Sequence, residues 1–594
     1  MRRRRGYPSP CASPCSPSIR AGTSTRTCTY RRTNEIPRGV SLPQAPSTGE
    51  QPSICRPIPP SGLRHPLPVA SPIFDPLRNS SVMAATAFLL VVSVIALSVI
   101  TLVFPDLFGN LTGPPLPPGP RPKLLAGNVH QVPRVEPWKT YADWAKKYGQ
   151  IFLLRVFGQK IIVLNSHSAV ADLLESRTSI YSDRPRVWMY KELIGRKLAV
   201  FSISSENPRF RIYRKLLKSG LSSRANQEYL PLLYRETKTL LRNLKEYPDQ
   251  FISHARRNAA AIILEIAYGW QVNSNDDYFV SLMEESFKLH AEIVRPGRWL
   301  VDAYPILRFV PSWFPGGGFH KQAEIYRGQF ARIDQIPHAW AKEQLHSGTY
   351  TPSFTSRYML KEDGSAPSDE EEDIIKWTSS ALYVGGADTT VSVLTSFFLL
   401  MALHPESQKR AQDEIQRVVG MSRLPTADDS DRLPYVRALI LEILRWCPVA
   451  PLGLPHSVTR DDVYDGYRIP KGATVYANIW ALSRDPEVYP NPSTFDPERF
   501  LPAPNGTLTQ MDPRKFVFGF GARVCPGAQF AELSLFVSIA RILGTFDVAK
   551  PVDEHGREVE PKVEFTTTVT SHPKPFECRI TPRAQALEQG VFDE

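Results

Sequence analysis

The chain has 594 residues and a formal net charge of +12, a balance that at first suggests a polyanionic partner. The charge is not spread evenly. Residues 1–82 hold twelve arginines, no lysine and three acids (Glu35, Glu50, Asp75), a net +9, and only +3 remains for the other 512 residues. The basicity is that of a tail, so the body makes no case for a nucleic-acid binder.

The tail also holds Cys11, Cys15, Cys28 and Cys55. The body keeps Cys447, Cys525 and Cys578, too few and too scattered for a disulfide framework or a zinc site. That usage fits a body folded in a reducing compartment.

Taken in chain order, residues 1–81 are expected to be disordered. Fifteen prolines stand among the first 80 residues with many Ser and Arg and no sustained apolar period, so burial cannot offset the entropy of ordering. Residues 82–104 carry no charge over twenty-three positions, long enough for a single transmembrane helix. Residues 105–122 follow as a linker, with 114–122 a stiff proline-rich spacer expected to hold the body off the membrane. Arginines before a span favour the cytoplasm, which would send the body to the other side. Met83 therefore reads as the working start, with the competing reading an Arg- and Ser-rich organelle transit segment.

From residue 123 onward the chain is expected to be one domain, mainly α with small β-sheets (α+β). Ile151-Phe-Leu-Leu-Arg-Val and Lys160-Ile-Ile-Val-Leu read as two strands joined by Phe-Gly-Gln. Long amphipathic helices dominate the middle, and short strands return after Pro448. No internal repeat is visible.

The segment Phe518-Gly-Phe-Gly-Ala-Arg-Val-Cys-Pro-Gly527 is the most informative. Its glycines let backbone turn sharply and approach a flat ligand, free N–H groups can bond a sulfur, and Arg523 offers a fixed cation to an acidic group. The bland alternative for Cys525 is a buried structural cysteine. Upstream, Gly385-Gly-Ala-Asp-Thr-Thr390 falls in a helix expected from about 374 to 403. Two interior glycines cost roughly 1 kcal/mol each relative to alanine, which a ligand pressed against the backbone would explain. Asp388 and Thr389 supply an acid and a hydroxyl, the parts of a short proton relay. Helix packing and a solvated acid are the other reading.

The spacing of Phe518, Gly521, Arg523, Cys525 and Gly527 resembles the haem-binding signature of the cytochrome P-450 monooxygenases. The resemblance extends from about Pro114 to Arg583 and implies that fold, haem b, and Cys525 as axial ligand of the iron through its thiolate. It implies further that Asp388 and Thr389 deliver protons for dioxygen activation. Glu442-Ile-Leu-Arg445, together with Arg499 of Phe495-Asp-Pro-Glu-Arg-Phe500, matches the family's buried charge triad, a structural lock. Arg523, Arg214 of Arg209-Phe-Arg-Ile-Tyr-Arg-Lys215, and His456 of Pro455-His-Ser stand where the family binds haem propionates. Phe210 replaces the usual tryptophan, so one indole N–H is missing.

Membrane-bound eukaryotic members share the anchor-plus-proline order, which places the body on the cytoplasmic face of the endoplasmic reticulum. Electrons are expected from NADPH through a flavoprotein reductase, with cytochrome b5 as a further donor. Arg214, Lys215, Arg514 and Lys515 would form the docking patch. The substrate is expected to be a lipophilic or aromatic small molecule, walled by 188–201, 449–454 and a strand pair near 566–569. The stretches 301–316 and 461–471 look like fungal enzymes of secondary metabolism, the group that includes O-methylsterigmatocystin oxidoreductase and tryptamine 4-monooxygenase. A haem-thiolate isomerase or dehydratase and a non-catalytic haem sensor are the rivals; the acid–alcohol pair argues against both.

Overall fold

The computed structural model describes residues 76–103 and 113–592, apart from positions 125, 275–276, 296, 362, 421, 589 and 591. The extension expected to be disordered lies outside the described residues except for its last six, which open helix α1, Pro76–Val103. The expected anchor thus starts six residues into a longer helix. Side chains of α1 are described over Ala85–Ser98, an apolar stretch exposed throughout. The chain divides into two units, and the second, Thr86–Glu594, carries everything that follows.

The proline-rich segment is not a free spacer. Leu153 N–H donates to the Pro118 carbonyl (2.8 Å), Arg468 N–H to Pro115 (2.8 Å), and Asn128 Nδ2 to Pro120 (2.9 Å). A proline run has no N–H to give, but its carbonyls accept, so it docks as an edge strap. Gly119 permits this, because a Cβ there would run into the Leu153 carbonyl.

Helix α2 (Pro137–Tyr148) precedes strands β1 (Ile151–Val156) and β2 (Gln159–Leu164), which pair antiparallel as expected. Phe157 and Gly158 both adopt positive φ, 47° and 84°, the geometry that matches a two-residue turn to strand twist. Five long helices then run in series: α3 (Pro208–Gly220), α4 (Leu230–Glu246), α5 (Phe251–Tyr268), α6 (Tyr278–Ile293) and α7 (Phe319–Ser347).

Helix α8, Asp369–Leu403, is the spine of the body. It begins five residues earlier than expected because Ser368 and Glu371 form a reciprocal capping box, and four acids in the first turn suit the positive end of the helix. Among the described residues it is the one helix long and apolar enough to cross a membrane, yet most of its apolar stretch is buried in the body. It is a core helix packed on α5 and, further along, on α9 (Pro434–Trp446) and α10 (Ala528–Thr545).

The short strands after Pro448 are β3 (His456–Ser457), β4 (Asp462–Tyr464), β5 (Tyr467–Ile469) and β6 (Thr474–Ala477), followed by β7 (Phe546–Ala549) and β8 (Arg579–Pro582). The main sheet has the order β1-β2-β6-β3, with β6 parallel to β2. This return of the chain lays Ser457 beside Asp183. The wall expected as a strand pair near 566–569 is instead a turn closed by a single bridge, Phe565 to Pro573.

Candidate active site

Cys525 sits in a tight loop that leads into α10. Its N–H donates to the Phe518 carbonyl (2.8 Å), which closes the loop on itself. Gly521 adopts φ 54°, and a Cβ there would meet the Leu174 carbonyl and lie 2.5 Å from Thr178 Oγ1. Ala522 N–H donates to that same hydroxyl (3.0 Å), so Gly521 is needed for the loop to seat. Gly527 caps α10, and a Cβ on it would stand 4.0 Å from the Cys525 sulfur. The Cys525 side chain keeps open surface, yet the surrounding protein is close enough that burial pushes its thiol up. The Gly527 N–H and the Arg214 charge pull the other way. A thiolate is favoured there only as far as these groups and the helix N-terminus outweigh desolvation.

On α8, Thr389 is exposed and its hydroxyl donates to the Gly385 carbonyl (2.9 Å), while Thr390 does the same to Gly386 (2.8 Å). The two glycines have separate reasons. A Cβ at 386 would come within 2.7 Å of Ile263 on α5, so that glycine serves helix packing and not a ligand. A Cβ at 385 would come within 2.9 Å of Phe201, at the end of the segment 188–201 expected to wall the substrate. Asp388 is not a solvated acid: His572 Nε2 lies 3.1 Å from its Oδ1.

The wall segments converge on this half of α8. Phe201 faces Gly385, Ser392 Oγ donates to the Ser571 carbonyl (2.5 Å), and Ser571 N–H donates to Val449 (2.8 Å). Arg184 ties two walls together, donating to the carbonyls of Leu454 (3.0 Å), Pro455 (2.6 Å) and Phe201 (3.2 Å).

Half-buried Arg523 in the cysteine loop lies near two buried cations, Arg184 and Lys191. Arg523 donates to the carbonyls of Ser182 and Ile203, both at 2.7 Å, and stacks 4.1 Å over the ring of Phe210. Burial, then the charge of nearby Arg214, lowers Arg523 to about 10. Burial and Arg523 lower Arg184 to about 9, and Lys191 falls to about 8 from burial with both arginines adding to it. The acids opposing them are Asp183 and, for Lys191 alone, Glu192. His456 reaches this group through β3. Burial, then Arg184 and Arg523, push it down to about 3, so it is neutral. Its Nδ1 faces the Tyr181 carbonyl at 2.8 Å, which can only accept, so Nδ1 carries the proton. His456 can hold an anion only by taking up a second one. Arg214 lies on the sulfur side, donating to the Val524 carbonyl (2.7 Å).

The three residues of the expected charge triad do meet. Glu442 and Arg445 are fully excluded from solvent and bidentate, with both contacts at 2.7 Å, and Arg499 Nε lies 3.5 Å from the same carboxylate. Burial raises the Glu442 pKa against the pull of Arg445. Spare N–H groups of Arg445 go to the carbonyls of Ser483, Pro492 and Thr494. The expected basic patch is thinner than its sequence. Arg514 is committed to Asp512 and Glu532, both at 2.6 Å, while Lys215 and Lys515 are exposed.

The donor set fits haem b. A sulfur with an N–H turned toward it, glycines where a Cβ would crowd the loop, and buried cations short of acids suit an iron and two carboxylates. Arg184, Lys191 and His572 were not singled out from the sequence, since none stands in a motif.

Comparison with known proteins agrees. The family model described as Cytochrome P-450 matches residues 117–580. The chain is 43% identical over 477 residues to cytochrome P-450 monooxygenase 208 of Postia placenta, covering 80% of this chain and 91% of that one. It is 41% identical over 512 residues to cytochrome P-450 monooxygenase claR of Ampulloclitocybe clavipes, covering 85% and 94%. With cytochrome P-450 monooxygenase ppsD of Aspergillus oryzae it shares 38% over 473 residues, covering 79% and 89%. Members of this family carry haem b, draw NADPH electrons through a reductase and bind small-molecule substrates. The chain therefore belongs to the cytochrome P-450 family and is a haem-dependent monooxygenase.

Proposed function

We propose that this protein oxidises a lipophilic or aromatic small molecule in fungal secondary metabolism, and that the Cys525 sulfur would hold the iron of haem b. The observation that carries the assignment is the Cys525 loop, closed by the Cys525 N–H on the Phe518 carbonyl and seated through Gly521 and Ala522 on Thr178. The haem, when bound, supplies the oxidation of substrate by dioxygen. The chain's own residues supply the rest. Arg523, with Arg184 and Lys191, offers the buried positive charge that two propionates need. Arg214 lends its charge to the sulfur, and His456 joins the anion site once protonated. Glu442, Arg445 and Arg499 lock the scaffold.

Thr389 Oγ1, held on the Gly385 carbonyl, and Asp388 beside it form the proton relay. Phe201, Val449 and the turn at 566–569 wall the substrate side, and their carbon-rich surfaces suit an apolar molecule. The fungal relatives and the stretches 301–316 and 461–471 support secondary metabolism.

We place the protein at the endoplasmic reticulum membrane with its body in the cytoplasm. The apolar face of α1 supports this, as does a patch on the body in which Ile306, Phe309, Trp313 and Phe314 are all more than half exposed. NADPH-cytochrome P-450 reductase is the electron donor in this scheme, with cytochrome b5 as a second. The test is the carbon monoxide spectrum of reduced microsomes. Cys525→Ala should abolish the thiolate-type band, and its retention would refute the ligand assignment. Thr389→Ala should keep the band but waste NADPH, which an isomerase, dehydratase or sensor would not show.

A further inference from the structure

Asp388 is paired with a residue from the far end of the chain. His572 Nε2 lies 3.1 Å from Asp388 Oδ1, with 21% of each side chain exposed. The imidazole projects from the turn closed by Phe565 and Pro573, and that turn is held at every step. Thr566 N–H donates to the His572 carbonyl (2.8 Å), and His572 N–H donates to Thr566 Oγ1 (3.0 Å). Ser571 is bonded through its N–H to Val449 and through its carbonyl to Ser392 on α8 itself. The backbone beneath His572 therefore cannot slide along α8 without breaking several bonds.

A partly exposed carboxylate with no partner is free to turn toward water. An aspartate free to choose among rotamers is a poor relay, because proton transfer depends on hydrogen-bond reach. We propose that His572 is a positioning residue for the reaction, holding the Asp388 carboxylate in one orientation beside Thr389. It acts through Asp388, the group it contacts. This rests on the relay assignment of Asp388 and Thr389 above. Because the same turn forms a substrate wall, the residue that orients the acid belongs to the segment a substrate would press on.

The experiment uses the holoenzyme with reductase, NADPH and 7-ethoxycoumarin as a lipophilic aromatic probe, and reads hydrogen peroxide formed per NADPH consumed. Every variant is first checked for the thiolate-type carbon monoxide band, so loss of haem is recognised. His572→Ala should raise peroxide per NADPH roughly five- to tenfold, as expected for a misplaced catalytic group. His572→Gln, whose amide N–H can donate from the same place, should stay close to wild type. A second readout is independent of turnover: Tm losses from Asp388→Ala and His572→Ala should be less than additive in the double variant. Unchanged coupling in His572→Ala, additive Tm losses, or a glutamine variant as leaky as the alanine one would each overturn the proposal. If Asp388→Asn itself leaves coupling unchanged, the relay assignment fails and takes this inference with it. If Asp388→Asn uncouples and His572→Ala does not, only the role of His572 falls.

Discussion

Arg523 and Phe210 form a cation–π pair, with the guanidinium carbon 4.1 Å from the ring centre. The guanidinium is also held by the carbonyls of Ser182 and Ile203, so the ring completes a three-sided mount. The phenylalanine that replaces the family's tryptophan gives up an indole N–H but keeps the aromatic face. Phe210→Ala should remove both the packing and the stack and cost about 3–5 kcal/mol. Phe210→Trp should keep the stack and regain a donor. Unfolding midpoints and haem content per protein check both, and equal haem retention by the alanine and wild-type proteins would refute the mount.

Glu442→Ala should be far more damaging than its lack of chemistry suggests. It leaves Arg445, which is fully excluded from solvent, as an uncompensated buried charge, at a cost of about 3–5 kcal/mol. The expected result is little folded holoprotein, read as haem absorbance per milligram. A well-folded Glu442→Ala protein with normal haem would show that the triad is not a lock.

Two glycines of the cysteine loop should respond differently to alanine. Both have positive φ, 54° at Gly521 and 79° at Gly519. At Gly519 the nearest obstacle to a Cβ is the Arg523 carbonyl at 3.7 Å, whereas at Gly521 it would collide with Leu174 and Thr178. Gly519→Ala should cost only backbone strain, about 1–3 kcal/mol. Gly521→Ala should add a clash and displace the loop, seen as loss of the thiolate-type carbon monoxide band. Equal behaviour of the two variants would count against this reading of the loop.

Asp302 links the stretch 301–316 to the segment 188–201. Its Oδ1 accepts the Met189 N–H at 2.8 Å, and its carbonyl accepts from Gln159 at 2.6 Å. Burial raises its carboxyl to about 6 against the pull of the Met189 and Trp188 N–H groups. A raised folded-state pKa means that the unfolded chain releases this proton first, so stability is lost as pH rises from about 4 to about 6 and is level above. Asp302→Asn keeps the acceptor and removes the ionisation. It should flatten the curve in that window and stabilise the protein by up to about 3 kcal/mol at neutral pH. Denaturant unfolding at pH 4.5 and 7 checks this, and a variant less stable than wild type at pH 7 would contradict it.

Local patterns carried much of the site. The Cys525 loop was legible because glycine, arginine and cysteine at fixed spacing within ten residues specify one loop chemistry. Helix spacing brings Glu442 and Arg445 face to face, but their burial with Arg499 was an expectation only through the resemblance of Phe495–Phe500 to the family's segment. The β1–β2 hairpin followed from two short apolar, β-branched runs joined by Phe-Gly-Gln.

Other features became visible only in the folded chain. The docked strap at 114–122 could not be foreseen, because composition reports stiffness and not what the carbonyls will meet. Gly386 answers to Ile263, a partner on another helix. The cations Arg184, Lys191 and Arg523 gather with His456 because β3 returns beside 181–183, and His572 reaches Asp388 across more than 180 residues. Sequence alone determined the chemistry of each short segment, since local spacing sets local geometry. Tertiary structure decided which segments meet and which charges go dry, because those contacts depend on burial shared across the whole core.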